Sequence, residues 1–187
     1  MIVNSILTKY GNKFKNLLIS QGFIQPKKII TGKGWITLFD LTVKGRILLR
    51  DLGYEGKVIS EGVVHKFWKH KIAEYYKNKG FKVLIEENIN GRPDIIVKNG
   101  KKKIAIEIET GKSNAIANIQ KNLTAGFDEV ICVATNKSVE KKIKQDIERE
   151  NIKDEKVKLT SVLDFKWTNH YGISYLICNL YVSDLLA

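Results

Sequence analysis

Two short stretches hold residues whose types and spacing could do chemistry: Gly91-Arg92-Pro93-Asp94-Ile95-Ile96-Val97 and Ile104-Ala105-Ile106-Glu107-Ile108-Glu109. Side chains alternate between faces of an extended chain. Ile104, Ile106 and Ile108 therefore point one way, towards a core, and Glu107 and Glu109 point the other way together. Asn99-Gly100 between the two stretches is a strong hairpin-turn signal and folds Asp94 back beside them. Three carboxylates then converge at one edge of a sheet. Like charges in such a cluster repel, and a divalent cation offsets that cost. Mg²⁺ (or Mn²⁺) is held through carboxylates, waters and substrate phosphate. It can activate water and stabilise charge on a phosphodiester.

The elements that must position these acids follow from local signals. Gly22-Phe23, Gly80-Phe81 and Gly126-Phe127 each follow a helix-like segment and precede a strand-like one. Glycine there can take the left-handed conformation that closes a helix. In the first fifty residues the spacing of Phe14, Leu17 and Leu18 predicts a helix. Strands at 28–31 and 35–40 follow, joined by Gly32-Lys33-Gly34. Thr42 caps a further helix that carries Ile47, Leu48 and Leu52 on one face. Beyond 62, the spacing of Val64, Phe67, Trp68, Ile72 and Tyr75 predicts a helix over 63–79. Strands are predicted at 82–87, 94–98 and 103–109. A helix capped by Ser113 turns Ile116, Ile119 and Leu123 inward. A buried strand at 129–134 and an amphipathic helix at 138–150 complete the order αβββαβα. The chain is read as α/β: residues 1–54 an αββα element, 55–62 a glycine- and charge-rich linker, 63–165 the main domain, and 166–187 a C-terminal extension.

Pro93-Asp94, then Glu107-Ile108-Glu109, on that order of elements, resembles the PD-(D/E)XK nuclease superfamily over residues 61–150. Within it, the chain is most similar to archaeal Holliday-junction resolvases and related archaeal or viral nuclease-like proteins. The resemblance implies a restriction-endonuclease-like αβββαβ core, metal ligation by Asp94 and Glu107, and a role for Glu109 in activating water. It also implies structure-selective cutting of branched DNA and, since two strands are cut symmetrically, a homodimer. The superfamily often adds an acid from the first helix, and Glu61 is the choice here; Glu74 reads as a solvated helix-face charge. One position departs from the pattern: Glu109 stands where lysine is usual, and Lys112 could supply the missing ammonium or bind a phosphate. Two outcomes therefore stay open, a working endonuclease and a DNA-binding, regulatory protein that no longer cuts. Leu41-Thr42-Val43-Lys44-Gly45-Arg46 resembles the end of a winged-helix domain, so residues 1–54 read equally as a winged-helix-like element or as an accessory element for dimerisation.

Composition bears on the partner. The chain has 187 residues, 43% of them hydrophobic, and a formal net charge of +12, which fits a polyanion partner and excludes a disordered chain. Lys101, Lys102 and Lys103, with Lys112 and Ser113 at a helix start, are the candidate DNA contacts; Lys141, Lys142 and Lys144 could also track a backbone. Cys132 and Cys178 lie far apart in apolar runs and read as core residues, so a reducing, cytoplasmic setting without membrane contact is expected. His65, His70 and His170 lack metal-ligand spacing. Thr110-Gly111-Lys112-Ser113 is no P-loop, because its first glycine position is Ile106. Trp35, Trp68 and Trp167 read as packing residues.

Overall fold

The computed structural model describes residues 2–32, 34–53, 62–85, 92–152 and 155–167. By its contacts the chain divides into two compact units, Met1–Val64 belonging to one and His65–Thr168 to the other. Among the described residues no helix is long and apolar enough to cross a membrane.

The first unit runs α1 (Ile2–Ser20), β1 (Ile24–Thr31), β2 (Gly34–Leu41) and α2 (Val43–Asp51). This is the αββα order read from the sequence. The hairpin pairs antiparallel from Ile24↔Leu41 to Thr31↔Gly34. Ile24, Phe39 and Leu41 form its small core, with Leu18, Ile19 and Leu49 against them. Thr42 caps α2 as expected, its hydroxyl accepting from the Gly45 amide. Gly45 is the position where this unit has no room. A Cβ there would lie 2.1 Å from the Phe23 carbonyl oxygen. Gly45→Ala is therefore expected to cost about 1–3 kcal/mol, the usual scale of overpacking, read as a shift in the urea midpoint. One expectation fails here: Trp35 is 69% exposed. Ile47, Leu48 and Leu52, the apolar face of α2, are exposed as well. A two-stranded sheet between two helices has too little area to cover all its apolar side chains.

The second unit runs α3 (Val63–Asn78), β3 (Lys82–Ile85), β4 (Ile95–Asn99), β5 (Lys102–Glu109), α4 (Ala115–Thr124), β6 (Glu129–Ala134), α5 (Lys137–Arg149) and β7 (Val157–Ser161). The sheet order is β3-β4-β5-β6-β7. The first three strands are antiparallel neighbours, and β5, β6 and β7 run parallel. This mixed five-stranded sheet follows from the connections. The Asn99-Gly100 turn, with Gly100 at φ 59, makes a hairpin, and each helical crossover returns the chain parallel.

The glycine-aromatic pairs close helices as the sequence implied. Gly22, Gly80 and Gly126 have φ of 70, 85 and 79. Each donates to a carbonyl three residues back, and the next residue, Phe23, Phe81 or Phe127, donates five residues back. That pair of bonds is the Schellman closure. Asn151, at φ 50, closes α5 the same way with Ile152.

Both faces of the sheet are covered. On one, Ala105, Val130, Cys132 and Ala134 pack under α4 and α5 through Ile116, Ile119, Val139 and Ile143. On the other, Ile131 and Glu129 share a hollow with Tyr75 and Tyr76 of α3 and with Phe165. Trp68 and Trp167 extend that aromatic layer at 5.6 Å between ring centroids, and both pack as expected. Cys132 is buried and unbridged.

Candidate carboxylate site

Register places the acids. Ile95 pairs with Ile106 in the β4–β5 ladder, so Asp94, one residue before the strand, stands opposite Glu107. In the parallel ladder Glu107 pairs with Cys132 and Glu109 with Ala134. Paired residues share a face, so both glutamates lie on the α4 side, over small neighbours that leave them room. Register thus brings the three carboxylates to one end of that face, and the Cys132 thiol is raised by its burial and then by Glu109, Glu107 and Asp94.

The face is not open, however. Glu107 is 4% exposed and Glu109 1%, whereas the alternation alone could not show what covers them. Helix α4 does, and its inward polar side chains meet the acids. Asn122 Nδ2 donates to Glu107 Oε1 at 2.7 Å, and Lys121 Nζ lies 3.3 Å from the same oxygen. Asn118 Nδ2 donates to Glu109 Oε1 at 3.0 Å, and the Ser113 hydroxyl donates to Glu109 Oε2. With its hydroxyl so engaged, Ser113 is not the cap of α4. Asn114 takes that place, accepting from the Ala117 amide.

Asp94 is anchored differently. Its Oδ2 accepts from the Ile108 amide at 2.8 Å, extending the ladder just ahead of the first residue of β4, and lies 3.0 Å from His65 Nε2 on α3. Burial above all, and then the charge of Asp94, push the Glu107 carboxyl up to about 7; the Asn122 and Lys121 contacts act against that rise.

These donors suit a hard cation in part. Asp94 and Glu107 are oxygen ligands on one face, and the repulsion that raises Glu107 is what a cation relieves. Asn122 Oδ1 is a further buried oxygen with no hydrogen-bond partner among the described residues. Among those residues no group of three His, Cys, Asp or Glu side chains could enclose a metal. Two carboxylates are enough for Mg²⁺, which keeps several waters.

The remaining expected site residues separate. Glu61, with His170 and Cys178, lies outside the described residues. Glu74 is ion-paired with Lys71 and exposed, the solvated charge expected. Lys112 and Ser113 stand at the Glu109 end of the sheet, on a hollow of about 440 Å³ shared with Lys142 and Arg149. Lys101, Lys102 and Lys103 sit at the other end of β5, about 23 Å away along the strand. Lys102 and Lys158 there hold Glu129, whose carboxyl is lowered by them despite its burial.

His65, Lys121 and Asn122 are contacts the sequence reading passed over. Asn118 and Asn122 had a usable signal: polar residues four apart beside the apolar stripe Ile116, Ile119 and Leu123 of the helix that must cover the glutamates. The approach of His65 to Asp94, across 29 positions, had none in a single sequence.

A family model described as the nuclease-like domain of competence protein CoiA matches residues 61–120. No curated protein matches. Among solved structures, one titled as the crystal structure of protein of unknown function AF1548 is similar at 14% identity and a TM-score of 0.37, over 54% of this chain and 59% of that one. The chain thus spans under two thirds of that protein. The stretch similar to a nuclease-like domain is the one that runs from α3 through β5 into α4, and it contains Asp94, Glu107 and Glu109.

Proposed function

We propose that this chain is a divalent-cation-dependent DNA endonuclease on a restriction-endonuclease-like core. The observation that carries the reading is the Asp94–Glu107 pair, half-buried aspartate beside buried glutamate, the glutamate pushed up to about 7, within the stretch similar to a nuclease-like domain. Asp94 and Glu107 would hold Mg²⁺ or Mn²⁺. Such a cation supplies an activated water and stabilises the charge that develops on the phosphodiester. The chain's own residues prepare the place. The Ile108 amide and His65 orient Asp94, and Asn122 orients Glu107. Lys112 and the backbone amide of Ser113 meet a phosphate beside the acids, and Lys101, Lys102 and Lys103 meet the backbone further along. The net charge of +12 draws the polyanion in. Branched DNA is the substrate form we favour, cut by a homodimer.

A second reading keeps DNA binding and drops cutting. It is favoured by Glu109, which is sealed from solvent with both oxygens engaged, where a residue facing the attacking water would be open to it.

Labelled four-way junction, flap and linear duplex, each incubated with the protein and Mg²⁺, Mn²⁺ or chelator, separate the two. Cutting with either cation and none in chelator is the expected result, with the junction cut fastest. Retarded DNA without cutting in every condition would leave the binding reading.

A further inference from the structure

We infer that Lys121 is a catalytic residue of the proposed cleavage, its ammonium pairing with the phosphate that is cut. This deepens the nuclease reading and rests on it. A phosphoryl group in transfer gathers negative charge, which fixed cations stabilise. Lys112, the ammonium proposed from the sequence, is exposed at the loop before α4. Lys121 reaches the buried acid itself, its Nζ 3.3 Å from Glu107 Oε1.

Its contacts show why it is available. Asn122 and Lys121 share Glu107 Oε1, at 2.7 and 3.3 Å. Charge-assisted N–H···O⁻ bonds commonly measure about 2.7–2.9 Å, so Asn122 holds the glutamate firmly and Lys121 holds it loosely. Glu107 keeps its place if the ammonium leaves. The Glu107 side chain is 5% exposed and that of Lys121 33%. The ammonium therefore stands between a buried acid and solvent, the position from which it can meet an incoming phosphate without unburying anything. A cation at Asp94 and Glu107 would repel it from the carboxylate, in the direction of the negatively charged substrate.

The two roles that Lys121 could have predict opposite signs. If it serves the phosphate, Lys121→Met slows cutting by about 100-fold or more, the scale for losing one such stabilising group. The same variant binds Mn²⁺ as well as the parent or several-fold more tightly, because a positive charge beside a ligand is gone. Lys121→Arg, which keeps the charge, restores most of the cutting. If Lys121 merely positions Glu107, Lys121→Met loses Mn²⁺ affinity and cutting together. The measurements are Mn²⁺ titration by calorimetry and single-turnover cleavage, on the full chain. Slow cutting with undiminished Mn²⁺ binding supports the inference. Cutting within about threefold of the parent, or a joint loss of both, overturns it. If the parent cuts nothing with any cation, the nuclease reading fails and takes this inference with it.

Discussion

Glu107→Gln is expected to abolish cation-dependent cutting and, at the same time, to make the metal-free protein more stable at pH 9. The first effect follows from its place opposite Asp94. Without the charge, the pair loses its hold on a divalent cation, whose stabilisation of the transition state is worth several kcal/mol. At 1.36 kcal/mol per tenfold, that is a loss of about a thousandfold or more. The second follows from burial. The Glu107 carboxyl titrates near 7 in the fold against an ordinary 4.5, because it is buried and because Asp94 is beside it. The fold then binds its proton more tightly than the unfolded chain does. That contribution is whole below about pH 4.5 and is lost as pH rises through 7. At pH 9 the charged form costs the metal-free fold on the order of 3 kcal/mol. Glutamine carries no charge, and its carbonyl still accepts from Asn122 and Lys121. Urea unfolding in chelator should therefore show the variant ahead of the parent at pH 9 and level with it at pH 4.5. Added Mn²⁺ should raise the melting temperature of the parent at pH 8 and leave that of the variant alone. A variant no more stable than the parent at pH 9 would mean that Glu107 is not the strained acid described here. A group that lowers stability where it is needed for chemistry is a mark of a functional site.

What was legible in the sequence is local. The Gly-Phe closures, the Asn99-Gly100 turn, the Thr42 cap and the alternation in 104–109 all act over a few residues, and each appears in the structure. The order of elements from 63 to 150 follows from them. What was not legible is what lies across the sheet. Alternation says that Glu107 and Glu109 share a face. It cannot say that α4 and the loop before it close over that face, with Ser113, Asn118, Lys121 and Asn122 meeting the acids. The misplaced cap has the same origin. Ser113 and Asn114 are both good capping residues, and the choice falls to Asn114 because Glu109, on the strand beneath, takes the serine hydroxyl. Trp35 shows the limit of composition. A tryptophan is usually well buried, but on this two-stranded hairpin Trp35 is 69% exposed.

Glu109 sits where the resemblance puts a residue that activates water, and in the fold it is buried with both oxygens engaged. Its carboxylate joins the end of β5 to the start of α4, taking the Ser113 hydroxyl on one oxygen and the Asn118 amide on the other. Glu109→Ala is expected to cost about 3 kcal/mol. Hydrogen bonds to a charged group are worth about 1.5–3 kcal/mol each, and relief of the buried charge offsets part of the sum. Such a loss confounds any reading of activity, so the amide variant decides. In Glu109→Gln the side-chain oxygen still accepts from Asn118, and its NH₂ can donate to Ser113 Oγ. Stability should stay within about 1 kcal/mol of the parent, since the hydrogen-bond count is unchanged. If Glu109 positions α4, Glu109→Gln cuts within a few-fold of the parent, and the Lys121 and Asn122 contacts to Glu107 survive with it. If Glu109 takes a proton from water, the amide cannot. Cutting then falls by about a hundredfold or more, the scale of general-base catalysis, in a protein that unfolds where the parent does. Urea midpoints and single-turnover rates on the same preparation distinguish these outcomes, and the burial of Glu109 leads us to expect the first.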